Sequence, residues 1–251
     1  LAGTVDVIVA EYHEGAGAGT PEKATLDQEV AAGGAFADIV TKTSSSVDVI
    51  FTGHTHKQYV WDAPVPGVEG KTRPIVQTGN YGENLGQVVL SIDGASHDVL
   101  GYTARNISRS TTPAATLIST YPRVAEVNAI TNAALASAAA IGNQPKGSVT
   151  ADITTSYTGG SYVDGKYAGA TARDNRAGQS TIGNLVADSL VASLGSADRG
   201  GAEIGVVNPG GLRAELFYAP DGTITYAEAN AVLPFVNNLW TTSLTGAQFK
   251  A

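Results

Sequence analysis

Short continuous apolar runs alternate along the chain with stretches in which apolar residues recur at helical spacing. This pattern predicts strands alternating with helices. Residues 5–10 and the stretch "VDVIFTG" (47–53) are short runs rich in β-branched residues, as in strands buried on both faces. Between them, apolar residues recur at helical spacing around Val30, Phe36 and Val40. Two apolar strands joined by a helix predict a parallel βαβ unit.

Strands continue the pattern as far as residue 108, where the composition changes. The stretches "RPIVQTG", "LGQVVLSID" and "HDVLGYTARNI" predict antiparallel strands, the last two joined by a turn at Asp93 and Gly94. A Ser/Thr/Pro-rich segment follows, and then an alanine-rich helix that ends at Gly142, with Pro145 beyond it. We therefore predict one domain over 1–108, a linker with a helix over 109–146, and a second domain over 147–251.

The second domain is predicted to be α/β as well. Residues 180–195 have the pattern of a helix capped by Ser180 or Thr181. The stretch "AEIGVVNPGGLR" predicts a buried strand that opens into a glycine turn ending at Arg213. A short capped helix, a Pro-Phe loop, a strand and the start of another helix are predicted for 222–251.

Composition and charge exclude several classes of protein. With 43% hydrophobic residues, the chain of 251 residues can bury a core, and its net charge of -8 argues against a broad basic surface for nucleic acid or anionic membranes. No cysteine is present, which excludes disulfides and cysteine zinc sites but is compatible with export. No apolar run approaches the roughly 18–20 residues of a membrane span. Because the chain has no methionine, we expect either that a segment was removed upstream of Leu1 or that the chain is a piece of a longer protein.

Three of the four histidines fall where two predicted strands end. His13 follows the first strand, and His54 and His56 follow the second. The carboxyl ends of neighbouring parallel strands meet at one edge of a sheet, where α/β proteins bind ligands. Neutral imidazoles are ligands for divalent transition metals, so a metal site is predicted at this edge. The alternative is that they are turn residues that bond the backbone; His97 is predicted to be an exposed strand residue.

These motifs resemble a known family. "VDVIFTGHTH" followed by "PIVQTGNYGENLGQVVLSID" is similar to the closing part of the metallophosphoesterase domain of the 5'-nucleotidase and UDP-sugar hydrolase family. "IGNLVADSL", "VVNPGGLR", "GTITYAEANAVLPFVNNL" and "LTGAQF" resemble the opening part of its C-terminal substrate-binding domain. The resemblance implies a calcineurin-like β-sandwich with flanking helices, a linker helix and the first part of an α/β domain.

The resemblance implies a role for each histidine at the strand ends. His13, His54 and His56 match metal ligands of a site for two divalent ions, zinc, manganese or similar. Two such ions activate water and polarise phosphoryl oxygens. The family's D-x-H and GNH-[DE] segments do not occur here, so no catalytic residue is assigned. We expect the isolated chain to have little phosphatase activity.

The resemblance also implies substrate-binding residues in the second domain. Arg176, Asn208 and Arg213 match an arginine and an N-x-G-G-[IL]-R turn that contact substrate, and Phe235 and Asn237 match a base-stacking P-F-x-N loop. Arg173 is a candidate to replace a second family arginine, whose position is Ala172 here. The alternatives are a solvated charge for Arg176 and a core residue for Phe235.

The function implied is metal-dependent hydrolysis of nucleotide phosphate esters, with a nucleoside 5'-phosphate or nucleotide sugar as substrate. The location implied is extracellular, periplasmic or at the cell surface. Neither a nucleic-acid partner nor a membrane-spanning segment is expected. Two alternatives stay open: a 2',3'-cyclic-nucleotide phosphodiesterase on the same scaffold, and a nucleotide-binding or surface module that has lost catalysis.

Overall fold

A computed structural model describes residues 3–173 and 175–250. It divides the chain into two compact units, Leu1–Pro113 (unit 1) and Ala114–Ala251 (unit 2). The division lies inside the predicted linker, 109–146. Both units combine helices with small sheets, which confirms the predicted mixed α/β class.

Unit 1 contains the predicted parallel βαβ arrangement. Its first elements are β1 (Val9–Glu11), α1 (Leu26–Ala31), α2 (Gly34–Lys42), β2 (Val49–Phe51), β3 (Gln58–Pro64) and β4 (Thr72–Thr78). Strand β1 pairs in parallel with β2, and the two helices α1 and α2 connect them. Strand β4 pairs in parallel with β2 and antiparallel with β3, which gives the sheet order β1-β2-β4-β3.

Strand β3 was not predicted, although its sequence alternates as strands do. Tyr59 and Ala63 are buried, and Trp61 lies between them on the same side of the strand. The Tyr59 and Trp61 rings stack with centroids 4.1 Å apart, and Phe36 of α2 meets both rings edge-on. This aromatic group joins the helices to the sheet.

A long hairpin forms a second β layer in unit 1. Strands β5 (Asn84–Ile92) and β6 (Val99–Ser108) pair antiparallel, as predicted. The Asp93 carboxylate accepts hydrogen bonds from the Ala95 and Ser96 amides in the connecting turn. The hairpin packs on β4, where Asn106 donates to the Gln77 carbonyl at 2.9 Å. Unit 1 therefore has helices, a sheet and a hairpin in successive layers.

A buried arginine lies in the centre of unit 1. Arg73 of β4 is 1% exposed and donates hydrogen bonds to the carbonyls of Thr43, Ser44 and Val47, which follow α2. Its Nε has no hydrogen-bond partner among the described residues. Burial lowers the pKa of the Arg73 guanidinium, and Asp48 partly opposes that shift. Arg73 thus connects β4 to the end of α2.

Unit 2 begins with two helices, α3 (Ala114–Thr120) and α4 (Pro122–Gly142). The predicted alanine-rich helix is confirmed as α4, and none of its residues is buried. By length and composition alone α4 could cross a membrane, which differs from the sequence-based expectation of no such segment. Its first turns carry the ion pair Arg123–Glu126, and a helix of this kind is weak support for a span.

The rest of unit 2 forms around helix α5 (Thr181–Leu194). Ser180 caps α5 by accepting from the Gly183 amide, as predicted, and the capped helix α6 (Tyr226–Val232) is confirmed with Thr225 as its cap. Ile182, Val186, Leu212 and Ile224 lie in the core. The remaining elements are β7 (Pro145–Ser148), β8 (Tyr157–Thr158), β9 (Ser161–Val163), β10 (Lys166–Ala168), β11 (Ala172–Arg173), β12 (Thr223–Thr225) and α7 (Gly246–Lys250).

Two strand predictions in unit 2 are wrong. The stretch "AEIGVVNPGGLR" was predicted to begin as a buried strand, yet its apolar residues Ile204 and Val206 are 64% and 70% exposed and form no strand. The strand predicted after the Pro-Phe loop is also absent from the described residues. The physical reason is that a strand requires a hydrogen-bonding neighbour, and no described segment pairs with either stretch.

Candidate metal and ligand sites

Two of the three predicted metal ligands meet at one edge of the unit 1 sheet. His13 follows β1 and His54 follows β2, so the parallel pairing of these strands brings the two side chains together. His13 Nε2 and His54 Nδ1 are 3.3 Å apart and share a hydrogen bond whose direction depends on the tautomers. Both residues are exposed, so the pair is open to ligands from solvent.

His56 does not join this pair. Its Nδ1 lies 3.3 Å from Nδ2 of Asn80, and its ring meets the Tyr81 ring edge-on at 6.1 Å. Among the described residues no group of three or more His, Cys, Asp or Glu side chains is arranged to hold a metal ion. The structure thus brings together His13 and His54 and leaves His56 beside the loop that follows β4.

The backbone of the GHTH loop has an uncommon conformation. His54 has φ 65° and His56 has φ 60°, in the left-handed region that few residues other than glycine adopt. Each such residue costs about 1–3 kcal/mol and persists only where the surrounding structure holds it. Two of them in three residues, at a predicted ligand position, favour a functional loop over an ordinary turn.

A buried polar network holds this loop from below. The Tyr59 hydroxyl accepts from the Ala16 amide and donates to Gln77 Oε1, and Gln77 Nε2 donates to Thr55 Oγ1 in the loop. Tyr59 is 1% and Gln77 2% exposed. Burial raises the pKa of the Tyr59 hydroxyl, which keeps it protonated as a donor. Sequence patterns did not indicate either residue.

Gly15 fits between the two histidine loops because it has no side chain. A Cβ at Gly15 would overlap Oε1 of Gln77 and lie 2.6 Å from the Gly53 carbonyl oxygen. The Glu14 carbonyl accepts from the Gly53 amide at 3.1 Å, which joins the loops directly. The Glu14 carboxylate accepts from the Gly15 amide rather than from a histidine.

The distance between His13 and His54 fits a transition-metal site. Two nitrogens bound to one zinc ion at about 2.0–2.1 Å with tetrahedral geometry lie about 3.3 Å apart. The 3.3 Å between Nε2 of His13 and Nδ1 of His54 equals that separation. The pair could therefore supply two of the ligands of a divalent ion.

In unit 2, the predicted glycine turn is a short 3-10 helix, Pro209–Gly211. Asn208 caps it, because its Oδ1 accepts from the Gly210 amide at 3.0 Å. A Cβ at Gly210 would lie 3.3 Å from Nη2 of Arg176, so the guanidinium of Arg176 lies against this turn. The fold thus brings Arg176 and Asn208 to the same turn from positions 32 residues apart in the sequence.

Arg213 and Phe235 form a cation–π pair. The Arg213 Cζ lies 5.4 Å from the centre of the Phe235 ring, and its Nη1 donates to the Gly210 carbonyl. The Arg213 amide donates to the Val232 carbonyl at the end of α6, which holds the Phe235 loop beside the turn. Phe235 is 50% exposed, so its ring is not a core residue. Asn237 is exposed as well.

A cavity of about 380 Å³ lies beside the same turn. Arg176, Pro209 and Leu212 line it, together with side chains of α5 and the apolar residues of 204–207. Polar groups for a ligand come from Thr155, Asn175, Gln179 and Asn184, and Phe249 of α7 adds an aromatic ring. Sequence patterns did not indicate Phe249 or the amides.

Arg173 does not extend into this cavity. Its Nε donates to Oε1 of Glu215 at 2.5 Å and its Nη2 to the Leu212 carbonyl at 3.0 Å. In this structure the Arg173 charge is paired with Glu215, which gives no support to the prediction that Arg173 replaces a substrate-contacting arginine. Burial and the nearby Glu215 raise the pKa of Tyr157, which also donates to that carboxylate.

An asparagine-capped glycine turn, two arginines and an exposed aromatic ring thus lie close together in unit 2 and could contact an anionic aromatic ligand. Residues 149–251 match the family model described as 5'-nucleotidase, C-terminal domain. This match confirms the resemblance seen in the motifs of that segment.

Over the whole chain the likeness to known proteins is weaker. No curated protein matches the chain. The crystal structure of a 5'-nucleotidase precursor from Thermus thermophilus is similar, with 21% identity and a TM-score of 0.40. The match covers 75% of this chain and 34% of that chain, so the chain spans about a third of the length of that protein.

Proposed function

We propose that this chain is part of a metal-dependent hydrolase of nucleotide phosphate esters, of the 5'-nucleotidase type. The observation that carries the proposal is the family match of residues 149–251, which includes the turn ending at Arg213 and the Phe235 loop. In this proposal unit 2 binds a nucleoside 5'-phosphate or a nucleotide sugar, and unit 1 is the closing part of a metallophosphoesterase domain. The location proposed is outside the cytoplasm, with which the absence of cysteine is compatible.

Different residues around the glycine turn are proposed to contact different parts of a nucleotide. The half-exposed Phe235 ring offers a face on which a base can stack, which contributes about 1–3 kcal/mol in other proteins that bind bases. Arg213 and Arg176 offer guanidinium groups suited to anionic oxygens. Asn208 fixes the turn between them through the Gly210 amide. Asn237 follows Phe235 by two residues and is proposed to contact the base.

His13 and His54 are proposed ligands of one of two divalent ions, zinc, manganese or similar. Their separation of 3.3 Å supports this role. His56 is proposed as a third ligand on the resemblance alone, because its ring lies beside Asn80 and Tyr81. Bound divalent ions would supply Lewis-acid activation of phosphoryl oxygens and of water. The chain's contribution is to hold the His13 and His54 imidazoles 3.3 Å apart.

We expect Arg213→Ala to weaken AMP binding at least tenfold, about 1.4 kcal/mol. The substitution removes both the guanidinium and its contact with the Phe235 ring. Calorimetric titration of the 251-residue chain with AMP measures the effect. Arg199→Ala is the matched control, because Arg199 is exposed and lies in a separate 3-10 helix, Ala197–Arg199. Equal affinities for the two variants would exclude Arg213 from the site.

We expect His13→Ala and His54→Ala each to weaken binding of zinc at least tenfold. Each substitution leaves one imidazole of the pair, and one imidazole holds the ion much less firmly than two. Titration with zinc chloride by calorimetry measures this without any catalytic assay. His97→Ala is the control, because His97 pairs with Asp6 in an exposed turn. The proposal fails if all three variants bind zinc like the unaltered chain.

Turnover separates the proposed enzyme from its alternatives. We expect the 251-residue chain with manganese or zinc to hydrolyse AMP slowly, and a longer polypeptide that also carries D-x-H and GNH-[DE] segments upstream of Leu1 to hydrolyse it at ordinary enzymatic rates. Faster hydrolysis of a 2',3'-cyclic nucleotide would favour the phosphodiesterase alternative. AMP binding by a longer polypeptide without these segments would favour the binding module.

A further inference from the structure

A buried carboxylate joins the segments that surround the unit 2 cavity. The Glu215 side chain is 4% exposed and accepts hydrogen bonds from the Thr155 amide at 2.5 Å and the Thr155 hydroxyl at 2.7 Å. It also accepts from Arg173 Nε at 2.5 Å and from the Tyr157 hydroxyl at 3.4 Å. The four donors come from three residues: three of them meet Oε1, and the Thr155 amide meets Oε2.

The segments that Glu215 joins are those that carry the proposed ligand contacts. Thr155 and Leu212 both line the cavity. Arg173 donates from Nη2 to the Leu212 carbonyl, while its Nε donates to Glu215. Arg176 follows Arg173 by three residues, and Leu212 lies directly before Arg213. The ion pair is therefore a link between the loop of Arg176 and the turn of Arg213.

Its energetics distinguish this link from a surface ion pair. A solvated pair contributes little to stability, whereas a buried carboxylate that loses a partner keeps an uncompensated desolvation cost. Glu215 is almost completely buried, while the Arg173 side chain is 36% exposed. Removing Arg173 leaves the carboxylate with the Thr155 and Tyr157 donors, so the fold can persist while the link is lost.

We infer that Glu215 is a positioning residue: through Arg173 it fixes the Arg176 loop and the 208–213 turn at the separation that nucleotide binding requires. The inference rests on the proposed function. Its competitor is that Arg173 contacts the ligand itself and Glu215 restrains it. The two hypotheses predict opposite effects of removing the Glu215 charge on the affinity for an anion. If Arg173 contacts the ligand, its release from Glu215 strengthens binding; if Glu215 positions the loops, loss of the ion pair weakens binding.

A double-mutant cycle tests the inference. AMP affinity is measured by calorimetry for the 251-residue chain, Glu215→Gln, Arg173→Gln and the double variant. We expect each single substitution to weaken AMP binding about tenfold and the double substitution to weaken it no further, because both break one link. Glu126→Gln is the matched control, since Glu126 pairs with Arg123 on the exposed surface of α4. Unchanged or stronger binding by Glu215→Gln would overturn the inference, as would additive losses.

Amide hydrogen exchange gives a second readout that does not depend on binding. We expect both single variants to exchange faster at 175–179 and 208–213, with helix α4 unchanged. If Glu215→Gln does not fold, Arg173→Gln provides the same comparison from the exposed end of the pair. Failure of the unaltered chain to bind AMP would contradict the proposed function, while exchange would still decide whether the link holds the loops. Exchange rates equal to those of the unaltered chain would overturn the inference.

Discussion

Replacement of Arg73 by methionine is expected to lower the free energy of unfolding of unit 1 by about 3 kcal/mol. Methionine removes the cation but leaves the carbonyls of Thr43, Ser44 and Val47 without the donor that they share. Replacing a buried charged side chain by an apolar one is stabilising only when the groups that bond it are replaced by apolar groups as well. The partners of Arg73 are backbone carbonyls, which no side-chain substitution can remove.

The position of Arg73 beside α2 adds to the expected loss. The carbonyl of Thr43, the residue that caps the C-terminus of α2, accepts from Arg73 Nη2 at 2.9 Å. A cation at a helix C-terminus is stabilising, by up to about 2 kcal/mol where it is partly buried. The orphaned Nε of Arg73 is a cost that methionine would remove, so the expected loss is a net value.

Urea denaturation followed by tryptophan fluorescence measures the effect in unit 1 alone. The chain has two tryptophans, and Trp240 is 87% exposed. In a Trp240→Phe background, Trp61 stacked on Tyr59 reports the unfolding of unit 1. Arg105→Met is the control, because Arg105 is exposed on β6 and should change stability by less than about 0.5 kcal/mol. Equal midpoints for the two variants would show that Arg73 is not a central contact.

Replacement of Gly15 by alanine is expected to destabilise unit 1 by about 2 kcal/mol or more and to weaken zinc binding more than tenfold. The added methyl group would overlap the Gln77 amide and lie 2.6 Å from the Gly53 carbonyl oxygen. Gln77 is 2% exposed and hydrogen-bonded to Tyr59 and Thr55, so it cannot move away without breaking those bonds. The added methyl group would therefore displace the loops that carry His13 and His54.

Gly17→Ala provides a matched control two residues away. A Cβ at Gly17 has the Glu29 carboxylate at 3.6 Å as its nearest neighbour, which is ordinary van der Waals contact. Both variants are titrated with zinc and unfolded in urea in the same background. If Gly15→Ala lowers stability but binds zinc normally, the loops adjust and the histidine pair does not depend on this close approach. If neither quantity changes, the crowding around Gly15 is relieved by movements that leave the fold intact.

Patterns that depend on near neighbours in the chain were sufficient to predict much of the fold. The apolar runs ending near residues 10 and 53 predicted the parallel pair β1 and β2, because a fully buried strand has no polar face. Ser180 predicted the start of α5, and the alanine-rich stretch predicted α4. In each case the structural cause lies within a few residues of the pattern.

Contacts between distant segments were predicted less well. The two histidine loops were expected to converge, and the structure brings together His13 and His54, but His56 lies with Asn80 and Tyr81. In unit 2, Arg176 lies against the 208–213 turn, while Arg173 forms an ion pair with Glu215. A motif gives the residue type that a site requires, but not which of several neighbouring arginines is already paired.

The sequence by itself determined the mixed α/β class, the helix ends and the motifs of the 5'-nucleotidase C-terminal domain, since these follow from periodicity, capping and short residue patterns. Only the tertiary structure decided that residues 203–207 form no strand, that Gly15 separates two loops and that Glu215 links two others. Each of these features depends on which distant segments come into contact. The hydrogen bonds and close packing between such segments follow from the tertiary arrangement and not from local conformational preference.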